Sequence, residues 1–170
     1  GESKTTWRFG TDNETADLYY IMLKFQKRRS LERIHTHKQT YGKILSESAD
    51  GIWFIGLGQS IDELRNNHAA CVRMYHLDYK HCIVQMKITY LSDEKELFIG
   101  DIVSAVENQG FGSKALESAI QLARELECRV IRGNLGPSDV NHFDKLKYWY
   151  EKYGFTVEID GNLGSIELKL

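Results

Sequence analysis

An α/β fold is predicted by two features of this chain: a strand, glycine loop and helix in its centre, and short apolar strands separated by turn signals on either side. In the central unit Leu97-Phe98-Ile99-Gly100-Asp101-Ile102-Val103 reads as a buried strand. Downstream, Leu116, Ala119, Ile120, Ala123 and Leu126 recur at helical spacing on one face, with Lys114, Glu117, Gln121, Arg124 and Glu125 on the other. At 170 residues, 42% apolar and 11% aromatic, the chain fits one domain, 1–170, with a core of its own.

The elements follow in order. Thr11 or Asn13 can cap a first helix with Leu18, Ile21, Met22 and Phe25 on one side, which runs into Lys24, Lys27, Arg28, Arg29, Arg33 and Lys38, broken only by Glu32. After the apolar stretch Ile52 to Leu57, Ser60-Ile61-Asp62-Glu63 is a capping box that opens a short helix, and residues 1–70 as a whole are read as a helical portion. Cys71 to Leu77 and His81 to Leu91 form a hairpin around Asp78-Tyr79-Lys80, and Ser92-Asp93-Glu94-Lys95 turns the chain into the Leu97 strand. Arg129 to Gly133 is the next strand, and Gly136-Pro137-Ser138-Asp139 separates it from a helix with an apolar stripe of Leu146, Trp149, Tyr150 and Tyr153. Phe155 to Val157 and Ser165 to Leu170, joined through Asp160-Gly161-Asn162, close the chain as a pair of strands. The terminal strand, with Ile166, Leu168 and Leu170, reads as an edge open to a second copy, hence a homodimer.

The loop Glu107-Asn108-Gln109-Gly110-Phe111-Gly112-Ser113 carries the chemistry. A strand that feeds a helix through glycines aims unpaired backbone N–H groups and the positive end of the helix dipole at one spot, which suits a phosphate or pyrophosphate. Glycine at 110 and 112 lets backbone and ligand approach closely. Two common phosphate frames are absent. A P-loop needs Gly-Lys-Ser/Thr, and a dinucleotide frame needs a third glycine and an acid ending a second strand, whereas position 115 is Ala and Glu125 and Glu127 sit on the helix.

Glu107-Asn108-Gln109-Gly110-Phe111-Gly112 and Trp149-Tyr150-Glu151-Lys152-Tyr153-Gly154-Phe155, in this order and with a strand between them, resemble the GNAT-type N-acetyltransferase superfamily. That family has a loop of the form Arg/Gln-x-x-Gly-x-Gly/Ala and a later aromatic-Tyr-x-x-x-Gly-Phe. The match covers residues 70–170. It implies a mixed, strongly twisted sheet flanked by helices, whose fourth and fifth strands splay apart to take acetyl-coenzyme A (acetyl-CoA). Residues 70–170 would then be the cofactor-binding core, and residues 1–70 the portion that sets acceptor specificity. By the same resemblance, the backbone of Ile102, Val103 and Ser104 would meet the oxyanion and pantetheine, and Gln109, Gly110, Phe111, Gly112, Ser113 and Lys114 the pyrophosphate. One position departs from the family: Glu107 places an anion where Arg or Gln is usual, so the loop would hold phosphate through backbone donors.

The resemblance assigns to Tyr150 the protonation of the leaving thiolate. With a hydroxyl of pKa ~10 and a thiol of ~8.5, full transfer is uphill by roughly 2 kcal/mol. An amine acceptor must also lose a proton. Asp101, a carboxylate amid Ile99, Ile102 and Val103, is the favoured base, either facing the cleft or lying at an edge or bulge in water. His76 and His81 on the hairpin are the alternatives.

The expected function is acetyl transfer from acetyl-CoA to a primary amine of a small molecule or peptide, by direct attack in a ternary complex. The alternative is a GNAT-fold binding or regulatory module without turnover, which Glu107 favours, contacting nucleic acid or a protein through the basic first helix. Asp93, Glu94, Glu96 and Asp101 near the expected cleft point to a cationic acceptor. A net charge of −2 without interleaved aromatics disfavours nucleic acid. Gly1 to Gly10 lacks an apolar signal core and no long apolar run exists, so no membrane partner and a cytoplasmic location are expected. Cys71, Cys82 and Cys128 have no metal or redox spacing and read as reduced, mostly buried thiols; no metal site is expected.

Overall fold

Strand by strand, the alternation of side chains builds the sheet that organises this molecule. Between Val84 and Leu91 the residues Val84, Met86, Ile88 and Tyr90 are buried while Gln85 and Lys87 face water, the period of two expected of a strand covered on one face. The computed structural model describes residues 13–170, in the order α1 (Asn13–Gln39), β1 (Lys43–Glu47), β2 (Trp53–Leu57), α2 (Ile61–Asn67), β3 (Ala69–His76), β4 (Val84–Leu91), β5 (Glu96–Ser104), α3 (Phe111–Glu125), β6 (Val130–Leu135), a 3-10 turn (Pro137–His142), α4 (Phe143–Lys152), β7 (Thr156–Asp160) and β8 (Leu163–Lys169). Thr11, one of the two cap candidates, lies outside the described residues.

The eight strands form one sheet in the order β1-β2-β3-β4-β5-β6-β8-β7. All neighbours are antiparallel except β5 and β6, whose parallel pairing requires the crossover that α3 supplies. Ala115, Leu116, Ala119, Leu122 and Ala123 of α3 are fully or nearly fully buried, and the three alanines on this face allow the helix to lie close to the strands. The core beneath it is built from Leu57, Val72, Met74, Met86, Ile88, Leu97, Ile99 and Ile131. Arg132 of β6 bridges Glu96 of β5 at 3.1 Å and Glu167 of β8 at 3.4 Å, tying three strands at the closed end of the sheet.

Four expectations change. Residues 1–70 are not helical throughout, because β1 and β2 lie within them. Phe54 to Leu57 are buried on both faces, and a short run of that kind carries no periodicity to tell strand from helix. The strands that part are therefore the fifth and sixth, not the fourth and fifth. The terminal strand is not an edge: β8 lies between β6 and β7, and β7 is the outer strand. Finally, only Cys128 is buried, its thiol pushed up to about 11 by desolvation, while Cys71 and Cys82 are half-buried. The capping box at α2 is present, with the Ser60 hydroxyl accepting from the Glu63 N–H at 3.1 Å.

Candidate functional site

The parallel ladder of β5 and β6 is short. Glu96 to Ile99 pair with Val130 to Gly133, after which β5 continues to Ser104 against β4 alone and β6 continues to Leu135 against β8 alone. A wedge therefore opens at the carboxyl ends of the two strands. A β-bulge sharpens it: Ile88 pairs with Ile99 and Met86 with Ile102, so Gly100 and Asp101 together oppose Lys87. The bulge turns Asp101 out into water at the lip of the wedge, which is the edge-or-bulge alternative for this carboxylate.

Beyond the bulge the ladder fixes which backbone groups face the wedge. The Ala105 N–H donates to the Ile83 carbonyl on the β4 side at 2.9 Å. Since successive residues of a strand point their N–H groups to opposite edges, Val103 also faces β4, and Ile102 and Ser104 face the open side. Val103 presents an exposed side chain, and the Ser104 hydroxyl donates to the Val106 carbonyl at 2.7 Å.

The loop after β5 delivers the start of α3 to the same end of the sheet. Asn108 and Gly110 both adopt positive φ, 60° and 74°, a reversal that glycine makes without strain and asparagine at little cost. Gly110 caps α3 with no side-chain hydrogen bond, and the first bond of the helix runs from the Lys114 N–H to the Gly110 carbonyl at 3.2 Å. The N–H groups of Phe111, Gly112 and Ser113 precede that bond, so the helix leaves them free and its dipole concentrates positive potential there.

Side chains brace this end without filling it. Phe111 is buried, its ring 5.3 Å from that of His76 and 6.1 Å from that of Tyr79. The Trp149 indole N–H donates to the Ser113 hydroxyl at 2.9 Å, tying α4 to the first turn of α3. A Cβ at Gly112 would meet only the edge of that indole, at 4.0 Å. Gln109 and Glu107 are exposed. The Lys114 ammonium lies over the Trp53 ring of β2, 5.0 Å from the centroid.

Tyr150 sits on α4, which follows β6 through the 3-10 turn. Its ring packs against Trp149 at 4.8 Å and Phe155 at 5.4 Å and is only 5% exposed. Burial, with a smaller contribution from the nearby Asp139 carboxylate, pushes its hydroxyl up to about 12. No fully buried side-chain nitrogen or oxygen among the described residues lacks a partner.

The structure thus puts Ile102 and Ser104 on the open edge of β5, and Phe111, Gly112 and Ser113 at the start of the helix that follows the same end of that strand. It puts Asp101, exposed, beside that edge, Tyr150 on the helix tied to the start of α3, and the Lys114 ammonium over Trp53. His76 is held against Phe111, with its Nδ1 accepting from the Asp78 N–H at 3.1 Å, and His81 is exposed. The acidic cluster is also dispersed. Asp93, Glu94 and Glu96 belong to the closed end of β5, about 17 Å of strand before Asp101 at ~3.3 Å per residue, and Glu96 is neutralised by Arg132. Two residues that the sequence left without a role matter here: Trp149, as the link between helices, and Asp139, as the charge beside Tyr150. The indole at 149 was visible in the aromatic stripe; no local pattern marks Asp139.

No protein-family model matches the sequence. Over 73 residues the chain is 36% identical to the uncharacterized protein YocC of Bacillus subtilis strain 168, a match covering 43% of this chain and 44% of that protein. It thus spans less than half the length of the curated relative it matches. Among solved structures, a GNAT family acetyltransferase from Elizabethkingia anophelis with acetyl-CoA bound superposes with a TM-score of 0.51 at 18% identity, covering 70% of this chain and 99% of the other. A Bacillus subtilis acetyltransferase in complex with CoA gives 0.51 at 16%, over 68% and 97%. At such identities the likeness is one of fold: this is the GNAT acyl-CoA N-acyltransferase fold, a mixed, mostly antiparallel sheet flanked by helices.

Proposed function

We propose that this chain transfers an acetyl group from acetyl-CoA to a primary amine of a small molecule or peptide, by direct attack in a ternary complex. The observation that carries the reading is the uncapped N-terminus of α3, with three free N–H groups at the mouth of the β5/β6 wedge. Structures of the same fold hold CoA or acetyl-CoA, which supports the choice of ligand. Acetyl-CoA supplies the acyl group already activated as a thioester.

The residues then divide the work. Backbone N–H groups of Phe111, Gly112 and Ser113 bind the pyrophosphate, with Gly110 shaping the turn that presents them. The open edge of β5 at Ile102 and Ser104 offers donors and acceptors to the pantetheine amides, as an added strand would, and a donor to the thioester oxygen. Tyr150 holds its proton for the departing sulfur. Asp101, at the lip and in contact with water, accepts the amine proton directly or through water. Residues 1–70 would set acceptor specificity. The setting we propose is the cytoplasm; the three free thiols suit a reducing compartment, and no helix among the described residues is long and apolar enough to cross a membrane.

Calorimetric titration with acetyl-CoA tests the reading, with Gly112→Asp as the partner variant. A carboxylate in the first turn interacts favourably with the helix dipole, so the variant should be as stable as the parent or more so, yet it puts an anion where the pyrophosphate would sit. Micromolar binding by the parent, weakened at least about tenfold in Gly112→Asp, is the expected result. Absence of binding to the parent would reject it and favour the module without turnover, with Glu107 as the feature that repels the ligand.

A further inference from the structure

The first helix is far longer than its contact with the domain requires. Its C-terminal third is anchored: Ile34 is buried, the Arg33 guanidinium donates to the Leu77 carbonyl at 3.0 Å and the Tyr79 carbonyl at 3.3 Å, and His37 stacks on Tyr75 at 4.5 Å. Residues 14–29, by contrast, are all exposed, an arm of about 24 Å at ~1.5 Å per residue. That arm carries every side chain from Leu18 through Leu23, together with Phe25, at 43–68% exposure. Of these, Leu18, Ile21, Met22 and Phe25 share one face of the helix at 49–68% exposure, an apolar patch on the order of 400 Å², as large as the ~300–600 Å² of the largest patch on a typical monomer.

We propose that this arm is a dimerisation element that pairs antiparallel with the same arm of a second copy. Leu18, Ile21, Met22 and Phe25 form a single stripe at the spacing of a helix–helix seam. The charges decide the orientation. Glu14 and Asp17 lie at the start of the arm, and Lys24, Lys27, Arg28 and Arg29 at its end. A parallel pair would set acid beside acid and base beside base. An antiparallel pair with its two-fold axis between Ile21 and Met22 sets Leu18 against Phe25 and Glu14 against Arg29 of the other copy. Asp17, Lys24 and Arg28 share one flank of the stripe, so Asp17 of each copy meets the other's Lys24 and Arg28. Arg29 already lies over Phe25 of the stripe at 5.9 Å, while Lys24 lies over Tyr20 at 4.7 Å and Arg28 is 3.4 Å from Glu32, exposed contacts that a facing carboxylate can replace.

Other occupants fit less well. A helix lying on a lipid surface would leave the Glu14 and Asp17 carboxylates without cationic partners, whereas the antiparallel pair sets them against Arg29, Lys24 and Arg28. A nucleic acid would use the basic end and leave the apolar stripe in water. The element is independent of acetyl transfer, so its test stands apart from that of the proposed function.

Light scattering and sedimentation equilibrium of the whole chain, over a range of micromolar concentrations, make the test. The expected result is a dimer that becomes a monomer in Ile21→Glu/Met22→Glu with the thermal transition of the protomer retained, since both side chains are exposed in the single copy. Asp17→Lys should weaken the dimer at least about tenfold, and adding Lys24→Asp and Arg28→Asp should restore it, because the reversed charges again meet across an antiparallel seam. A monomer at every concentration, or a dimer untouched by Ile21→Glu/Met22→Glu, would overturn the proposal. So would a triple charge reversal that weakens the dimer further.

Discussion

Tyr150→Phe should lower kcat for acetyl transfer by roughly 10²–10⁴-fold, the range of a positioned acid, while leaving acetyl-CoA binding close to that of the parent. Burial changes the reasoning behind this number. With the hydroxyl at about 12 and a thiol near ~8.5, complete proton transfer to the leaving sulfur is uphill by roughly 5 kcal/mol, more than the reference values suggest. On the proposed mechanism Tyr150 would therefore act chiefly by holding a hydrogen bond to the sulfur as its charge develops, in the donor form that its raised pKa preserves.

The same burial gives a readout separate from turnover. The folded chain keeps the Tyr150 proton up to about pH 12, whereas the unfolded chain releases it near ~10, so the stabilisation is fully present below pH 10 and is lost as pH rises toward 12. The loss is on the order of 2–3 kcal/mol, and it should be absent from Tyr150→Phe. Unfolding curves of parent and variant at several alkaline pH values isolate this share from that of the other tyrosines. A variant that turns over normally would remove Tyr150 from the chemistry. An unchanged alkaline profile would mean that its hydroxyl is not desolvated.

Gly133→Val should be among the most destabilising single changes in the chain, by about 3 kcal/mol or more. A Cβ at this position would stand 2.8 Å from the Ile99 carbonyl oxygen of β5 and 3.0 Å from two carbons of Ile166 on β8. One neighbour is backbone and the other a buried core side chain, so neither can move aside without separating the strands. A loss of that size lowers Tm by roughly 6–12 °C in a chain of this length, and thermal unfolding measures it directly. Gly100→Ala is the contrasting case, since its Cβ would sit 3.3 Å from the Lys87 Cβ, a contact that a small shift relieves. A shift of Tm below 2 °C in Gly133→Val would mean that β6 has room the structure does not give it.

Much of this architecture was legible in the chain, and the reasons are local. The strand into Gly110 and the helix after it are specified by a buried run, a positive-φ glycine and a 3.6-residue stripe, all within about thirty residues. What was not legible depends on partners distant in sequence. Trp53 to Leu57 is a strand because neighbouring strands cover it. The place of β8 inside the sheet is settled by its ladder with β6, some thirty residues earlier. Asp101 could be assigned to water only once Lys87 was found opposite two residues at once. The contact of Lys114 with Trp53 joins residues some sixty positions apart, and no local pattern announces it. The helical stripe of Leu18, Ile21, Met22 and Phe25 has the form of a core face, yet in the single copy it faces solvent.

The parting of β5 from β6 also leaves a signature in the rate at which single amides trade hydrogen for deuterium. Along Ile102 to Ala105 one strand would carry two populations in alternation: Val103 and Ala105, bonded toward β4, exchange slowly, while Ile102 and Ser104, turned to the open side, exchange at rates normally seen in loops. A ligand that completes the ladder on that side would slow the second pair and leave the first unchanged. The wedge would then be visible in solution as a reading frame of alternate residues, independent of any assay for the reaction.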